Sequence, residues 1–67
     1  MIKIFFNNEV MRIEKDSSVT YLLYLQDYPR QGVAVIINQK LISYAYYDDT
    51  LLVEGDVVEV MLPMQGG

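Results

Sequence analysis

Val33-Ala34-Val35-Ile36-Ile37 is a nearly unbroken run of β-branched and small apolar residues, opened by Gly32 and closed by Asn38-Gln39. A run of this kind reads as a central strand covered on at least one face. Working outward toward the C-terminus, Asn38-Gln39 predicts a turn into a short strand, Leu41 to Ser43. Tyr44 to Thr50 is polar-aromatic and irregular, and Glu54-Gly55-Asp56 predicts another turn. Val57 to Leu62 then alternates, with Val58, Val60 and Leu62 on one side, and Pro63 ends the strand. Toward the N-terminus, Val19, Leu22 and Leu23 repeat at i, i+3 and i+4, a single apolar helical stripe. Ser17 and Ser18 can cap that helix, and Pro29 disfavours helical geometry at Tyr28, so it should stop near Asp27. Farther upstream, Ile2, Ile4 and Phe6 alternate with Lys3, Phe5 and Asn7 in the period of a half-buried strand. Asn7-Asn8 can form a tight turn into a return strand from Glu9 to Ile13, with Met11 and Ile13 inward.

The element order is β-β-α-β-β-β. Its most economical packing is α+β: a mixed sheet of four to five strands with one main helix across one face, a β-grasp (ubiquitin-like) roll. The domain covers residues 1–63, and 64–67 reads as a flexible C-terminal Gly-Gly tail. The length of 67 residues fits one small domain. A hydrophobic content of 52% is too high for a disordered chain and suits a packed core.

Several function classes drop out on composition. Cys and His are both absent, which removes disulfides, thiolate and most zinc sites, and the Ser-His and Cys-His dyads. A net charge of −4 opposes binding to nucleic acid. No apolar run approaches the ~18 residues that span a bilayer. The N-terminal residues read as a first strand rather than a signal peptide, so a reduced cytoplasm is the expected compartment. The glycines form neither a phosphate-cradling loop nor a dinucleotide fingerprint, so no cofactor is expected on this chain and any nucleotide belongs to a partner. No serine or lysine has an evident activating partner, and the chain is not expected to be an enzyme by itself. Asp48-Asp49 with Glu54 and Asp56 matches no calcium-loop spacing and reads as a solvated acidic face. Tyr44, Tyr46 and Tyr47 serve either as half-buried packing or as a partner surface.

Gly66-Gly67 stands out. Such a pair at a chain end occurs by chance about once in 200 sequences at average glycine usage. Glycine has no Cβ, so a stem ending this way can enter a narrow cleft without steric penalty. A terminal carboxylate is a poor electrophile until it is activated, for example as an acyl-adenylate. A chain built this way is suited to having its terminus modified and delivered.

Asn7, Val33-Ala34-Val35-Ile36-Ile37-Asn38, Glu54-Gly55-Asp56-Val57-Val58-Glu59-Val60 and Gly66-Gly67 together resemble the ThiS family, the sulfur carriers of thiamine biosynthesis. The resemblance covers essentially the whole chain. It implies that a ThiF-like adenylyltransferase uses ATP to adenylate Gly67, and that sulfur then displaces AMP to leave a C-terminal thiocarboxylate. It further implies a sulfur donor such as a cysteine desulfurase, and delivery of the sulfur to a ThiG-like thiazole synthase. Met64, Gln65 and Gly66 would thread into the partners' sites. The chain departs from the family pattern at its turns, where Asn7-Asn8 and Asn38-Gln39 replace Asn-Gly, and in the aromatic Tyr44–Tyr47 segment. Two other readings remain: a carrier for another pathway, like the small subunit of molybdopterin synthase (MoaD), and a ubiquitin-like interaction or conjugation module.

Strand alternation also predicts a docking surface. If Ile4, Phe6, Val58 and Val60 face the helix, then Phe5, Val57, Glu59 and Met61 share the opposite face. A third strand beside the last adds Ala34 and Ile36.

Overall fold

The computed structural model describes residues 1–62. The elements are β1 (Ile2–Phe6), β2 (Glu9–Ile13), α1 (Val19–Leu25), β3 (Ala34–Ile37), β4 (Lys40–Ile42), a short 3-10 turn (Tyr44–Tyr46) and β5 (Val57–Met61). They form one five-stranded sheet in the order β2-β1-β5-β3-β4. β5 runs parallel to β1 and antiparallel to β3, so the final strand occupies the sheet centre. This mixed sheet with one helix is the β-grasp arrangement that the element order predicts.

Both hairpins turn on two residues with positive φ, Asn7 (48°) and Asn8 (71°), then Asn38 (51°) and Gln39 (71°). Type I′ turns require positive φ at both central positions, and their twist matches that of the flanking strands. The two asparagines also bind β5. The Asn7 backbone N–H donates to the Val58 carbonyl at 2.9 Å, and its Oδ1 accepts from the Val60 N–H at 2.9 Å. Its side chain thereby continues the parallel pairing after β1 has turned away. Asn38 Oδ1 accepts from the Val57 N–H at 2.9 Å, while Asn38 Nδ2 donates to Asp56 Oδ1 at 2.9 Å. Each hairpin is thus tied to the central strand by an amide as well as by its ladder.

The core holds Ile4, Ile13, Val19, Leu22, Leu23, Val35, Ile37, Tyr47, Leu52, Val58 and Val60. Val19, Leu22 and Leu23 are the helix's share. At seven residues α1 would not persist alone, and its apolar stripe against the sheet holds it. Each such side chain contributes roughly 1.5–3 kcal/mol on burial.

Some details differ from the sequence reading. Ser18 alone caps α1, accepting from the Tyr21 N–H at 3.0 Å. Ser17 is buried, and its hydroxyl donates to the Glu14 carbonyl at 2.6 Å. The helix ends earlier than Asp27, and the residue that ends it is not Pro29. Asp27 takes φ 61°, its N–H donates to the Tyr24 carbonyl, and the Tyr28 N–H reaches back to the Leu23 carbonyl. That pair of bonds is a Schellman cap with aspartate where glycine is usual. Asp27→Gly is therefore expected to raise stability by about 0.5–1 kcal/mol by removing the left-handed penalty, read as a higher urea midpoint at unchanged slope. Leu62 lies past the end of β5 and is exposed, rather than inward with Val58 and Val60. Lastly, β4 starts at Lys40 and ends at Ile42, one residue earlier at each end than expected.

The aromatic segment divides its duties. Tyr47 is a core residue whose hydroxyl donates to the Val33 carbonyl at 3.2 Å, and burial pushes its pKa up. Tyr44 packs edge-on against it with ring centroids 5.5 Å apart, and Tyr46 is exposed.

Candidate functional site

Alternation sends one half of every strand toward α1 and the other half to the far side of the sheet. Cross-strand pairing then decides which outward residues become neighbours. Val10 pairs with Phe5, and Phe5 with Val57. Leu41 pairs with Ile36, and Ile36 with Glu59. Ala34 pairs with Met61. Three rows of side chains result, running from the start of β5 to its end. Phe5, Ile36, Val57, Glu59 and Met61, the residues expected at the docking surface, all lie on this one face. Phe5 and Ile36 are half-buried, while Val57, Glu59 and Met61 are exposed.

Two further members of the face went unrecognised in the sequence. Leu41 is 72% exposed and Val10 is 62% exposed, which makes them the most water-accessible apolar side chains of the patch. Each lies on an edge strand. The two-residue turns fix both registers, so the signal for them was present in Asn7-Asn8 and Asn38-Gln39. Lone exposed leucines and valines are ordinary on a protein surface, whereas these two adjoin Phe5, Ile36, Val57 and Met61 on the same face.

The two ends of the face differ in chemistry. At the start of β5, Lys3 pairs with Arg12, and Lys3 Nζ stands 5.7 Å from the centre of the Phe5 ring. At the other end, Met61 and Leu62 border an open apolar groove with Gly32, Val33 and Ala34. Gly32 takes φ 81°, a conformation natural to glycine at the entry to β3. The groove therefore lies beside the last described residue of the chain. Met64, Gln65, Gly66 and Gly67, the expected tail and modification site, fall outside the described residues, as does Pro63.

The acidic residues read from the sequence as one solvated face are not brought together. Asp48 pairs with Arg30 at 2.7 Å and accepts from the Thr20 hydroxyl. Glu54 accepts from the Lys3 N–H at 3.0 Å. Asp56 is buried, with its carboxylate bonded to Asn38 and to the Val53 N–H at 2.9 Å. Among the described residues, no three His, Cys, Asp or Glu side chains are grouped to hold a metal ion. No helix among them is long and apolar enough to cross a membrane.

The family model described as "ThiS family" matches residues 4–67. Among solved structures, the chain is similar to the crystal structure of a thiamine biosynthesis protein (ThiS) from Geobacter metallireducens. They share 25% identity over 98% of this chain and 100% of that one, with a TM-score of 0.85. An NMR solution structure of a thiamine biosynthesis protein from Geobacter metallireducens is likewise 25% identical, covering 98% of this chain and 88% of that one, with a TM-score of 0.80. No curated protein matches the chain.

Proposed function

Because the chain belongs to the ThiS family, we propose that it is a sulfur carrier protein of thiamine biosynthesis and that Gly67 is the residue that carries the sulfur. The observation that supports this most directly is the family match itself, which extends through the terminal Gly66-Gly67. In this reading the chain is a co-substrate and performs no catalysis. A ThiF-like adenylyltransferase binds ATP and joins the Gly67 carboxylate to AMP, with release of pyrophosphate. The acyl-adenylate has the leaving group that a bare carboxylate lacks. The terminal sulfur of a persulfide, supplied by a donor such as a cysteine desulfurase, attacks the carbonyl carbon and displaces AMP, and a thiol reductant then cleaves the resulting acyl disulfide to leave a thiocarboxylate. A ThiG-like thiazole synthase then receives the sulfur for the thiazole ring.

The sheet's outer face is the docking surface in this reading, with the groove beside Leu62 at one end of it. The activating enzyme and the acceptor synthase both grip the same face, so they bind one at a time. The protein's compartment is the cytoplasm, where ATP is at hand.

Intact mass spectrometry tests the reading. The protein is incubated with ATP, the adenylyltransferase of the same organism and a sulfur donor. The expected product is heavier by the difference between one sulfur and one oxygen, and fragmentation places the gain at Gly67. An unmodified mass under these conditions, with the enzyme shown to be active on ATP, overturns the proposal.

A further inference from the structure

Glu59 is the one acidic side chain among the outward positions of the strands that form the patch. Its surroundings are Ile36 across the strand pair, Val57 and Met61 two residues away on β5, and Leu41 beyond Ile36. No cation of this chain stands beside it. The Lys3 backbone lies level with residue 55, about 13 Å back along the strand, its ammonium rests over the Phe5 ring rather than in an ion pair with Glu59, and Arg12 pairs with Lys3. Lys40 pairs with the inward residue Ile37, so alternation directs it to the other side of the sheet. Arg30 is held by Asp48 in the ion pair found among the described residues, and Lys15 lies in the corner between β2 and α1. Residues 63–67 contain no Lys or Arg.

A carboxylate in the middle of an apolar patch is harmless while water covers it. It becomes costly once a partner removes that water, unless the partner supplies a compensating charge. Resting on the docking role proposed above, we propose that the activating enzyme meets this face with an apolar surface bearing a single arginine, whose guanidinium pairs with Glu59. A guanidinium suits the position better than an ammonium. It is more weakly hydrated, and its planar fork matches a carboxylate with two parallel hydrogen bonds. The apolar residues supply contact area. Glu59 sets the register of the carrier on the enzyme and rejects apolar surfaces that lack a cation.

The test is a calorimetric titration of the adenylyltransferase of the same organism with Glu59→Gln, Glu59→Lys, Phe5→Ala and Glu14→Gln, at low and at raised salt. Glu14→Gln removes one negative charge away from the face and so controls for net-charge steering. Glu59 and Glu14 are both exposed, and thermal melts like the parent's confirm that their variants fold. The expected result is binding about tenfold weaker for Glu59→Gln and about a hundredfold weaker for Glu59→Lys, with Glu14→Gln close to the parent. The salt dependence of the parent should be reduced in Glu59→Gln. If Glu59→Gln binds as tightly as the parent or tighter while Phe5→Ala weakens binding, the face docks the enzyme but no cation meets Glu59, and the inference falls alone. If neither Phe5→Ala nor the Glu59 variants weaken binding, the docking face and the inference fall together.

Discussion

A protein carrying Gly66→Val, or lacking Gly67, is expected to fold like the parent and to lose ATP-dependent modification. The fold should survive because the core cluster among the described residues runs from Ile4 to Val60, within the sheet and helix. The chemistry should fail for a different reason. An adenylating site must bring the terminal carboxylate within bonding distance of a phosphate. Valine at 66 adds a branched Cβ that restricts the backbone and widens the stem, so the carboxylate is held off its place. Displacing a reacting group by an ångström costs about a hundredfold in rate. Deleting Gly67 draws the carboxylate back by one residue, farther than that. The check is a time course of intact mass with the adenylyltransferase, ATP and a sulfur donor, beside a thermal melt of each variant. Modification of either variant at the parent's rate would remove Gly67 from its proposed role. Gly66→Ala, which adds a single methyl, should retain part of the rate.

Much of this molecule could be read from local rules, and the residues that escaped share a physical cause. Strand alternation placed Ile4, Val58 and Val60 in the core and Phe5, Val57 and Met61 opposite them, because the period of two permits no other assignment once one face is buried. The asparagine turns were legible as positive-φ sites. Their second duty, the amide bonds from Asn7 and Asn38 to β5, was not, since those partners lie far along the chain and only the sheet order brings them near. Asp56 illustrates the same limit. In the sequence it belongs to an acidic cluster; in the fold it is buried because Asn38 and the Val53 N–H satisfy its oxygens. Ser17 went the same way, drawn inside where its carbonyl accepts from the Leu52 N–H at 2.8 Å. Asp27 misled for a local reason: its left-handed turn ends α1 before the proline's steric effect is felt. At the candidate site, the five expected residues followed from alternation, whereas Leu41 and the Gly32–Val33 side of the groove needed the pairing of β3 with its neighbours.

Ile4 and Phe5 are neighbours in β1, and substituting each by alanine is expected to do opposite things. Ile4 is fully buried in the strand between β2 and β5, where it packs in the core against which α1 rests. Removing its branched side chain leaves a cavity that so small a domain can close only in part, at a cost of about 2–5 kcal/mol. A domain of this size has a net stability of only about 3–5 kcal/mol. Ile4→Ala should therefore lose much of its stability, and a urea titration followed by far-ultraviolet circular dichroism would show a far lower midpoint than the parent's. Phe5 points to the other side of the sheet, between Val10 and Val57, and lies outside the core cluster. Phe5→Ala should keep the parent's melt within a few degrees. It should bind both the adenylyltransferase and the thiazole synthase about tenfold more weakly, since a buried aromatic anchor contributes ~2 kcal/mol or more to an interface. Ile4→Ala with the parent's urea midpoint would mean that α1 is not held by the sheet's inner face. Phe5→Ala with the parent's affinity for both enzymes would move the docking surface off the outer face, and the exposed Tyr44 and Tyr46 would be the next residues to substitute.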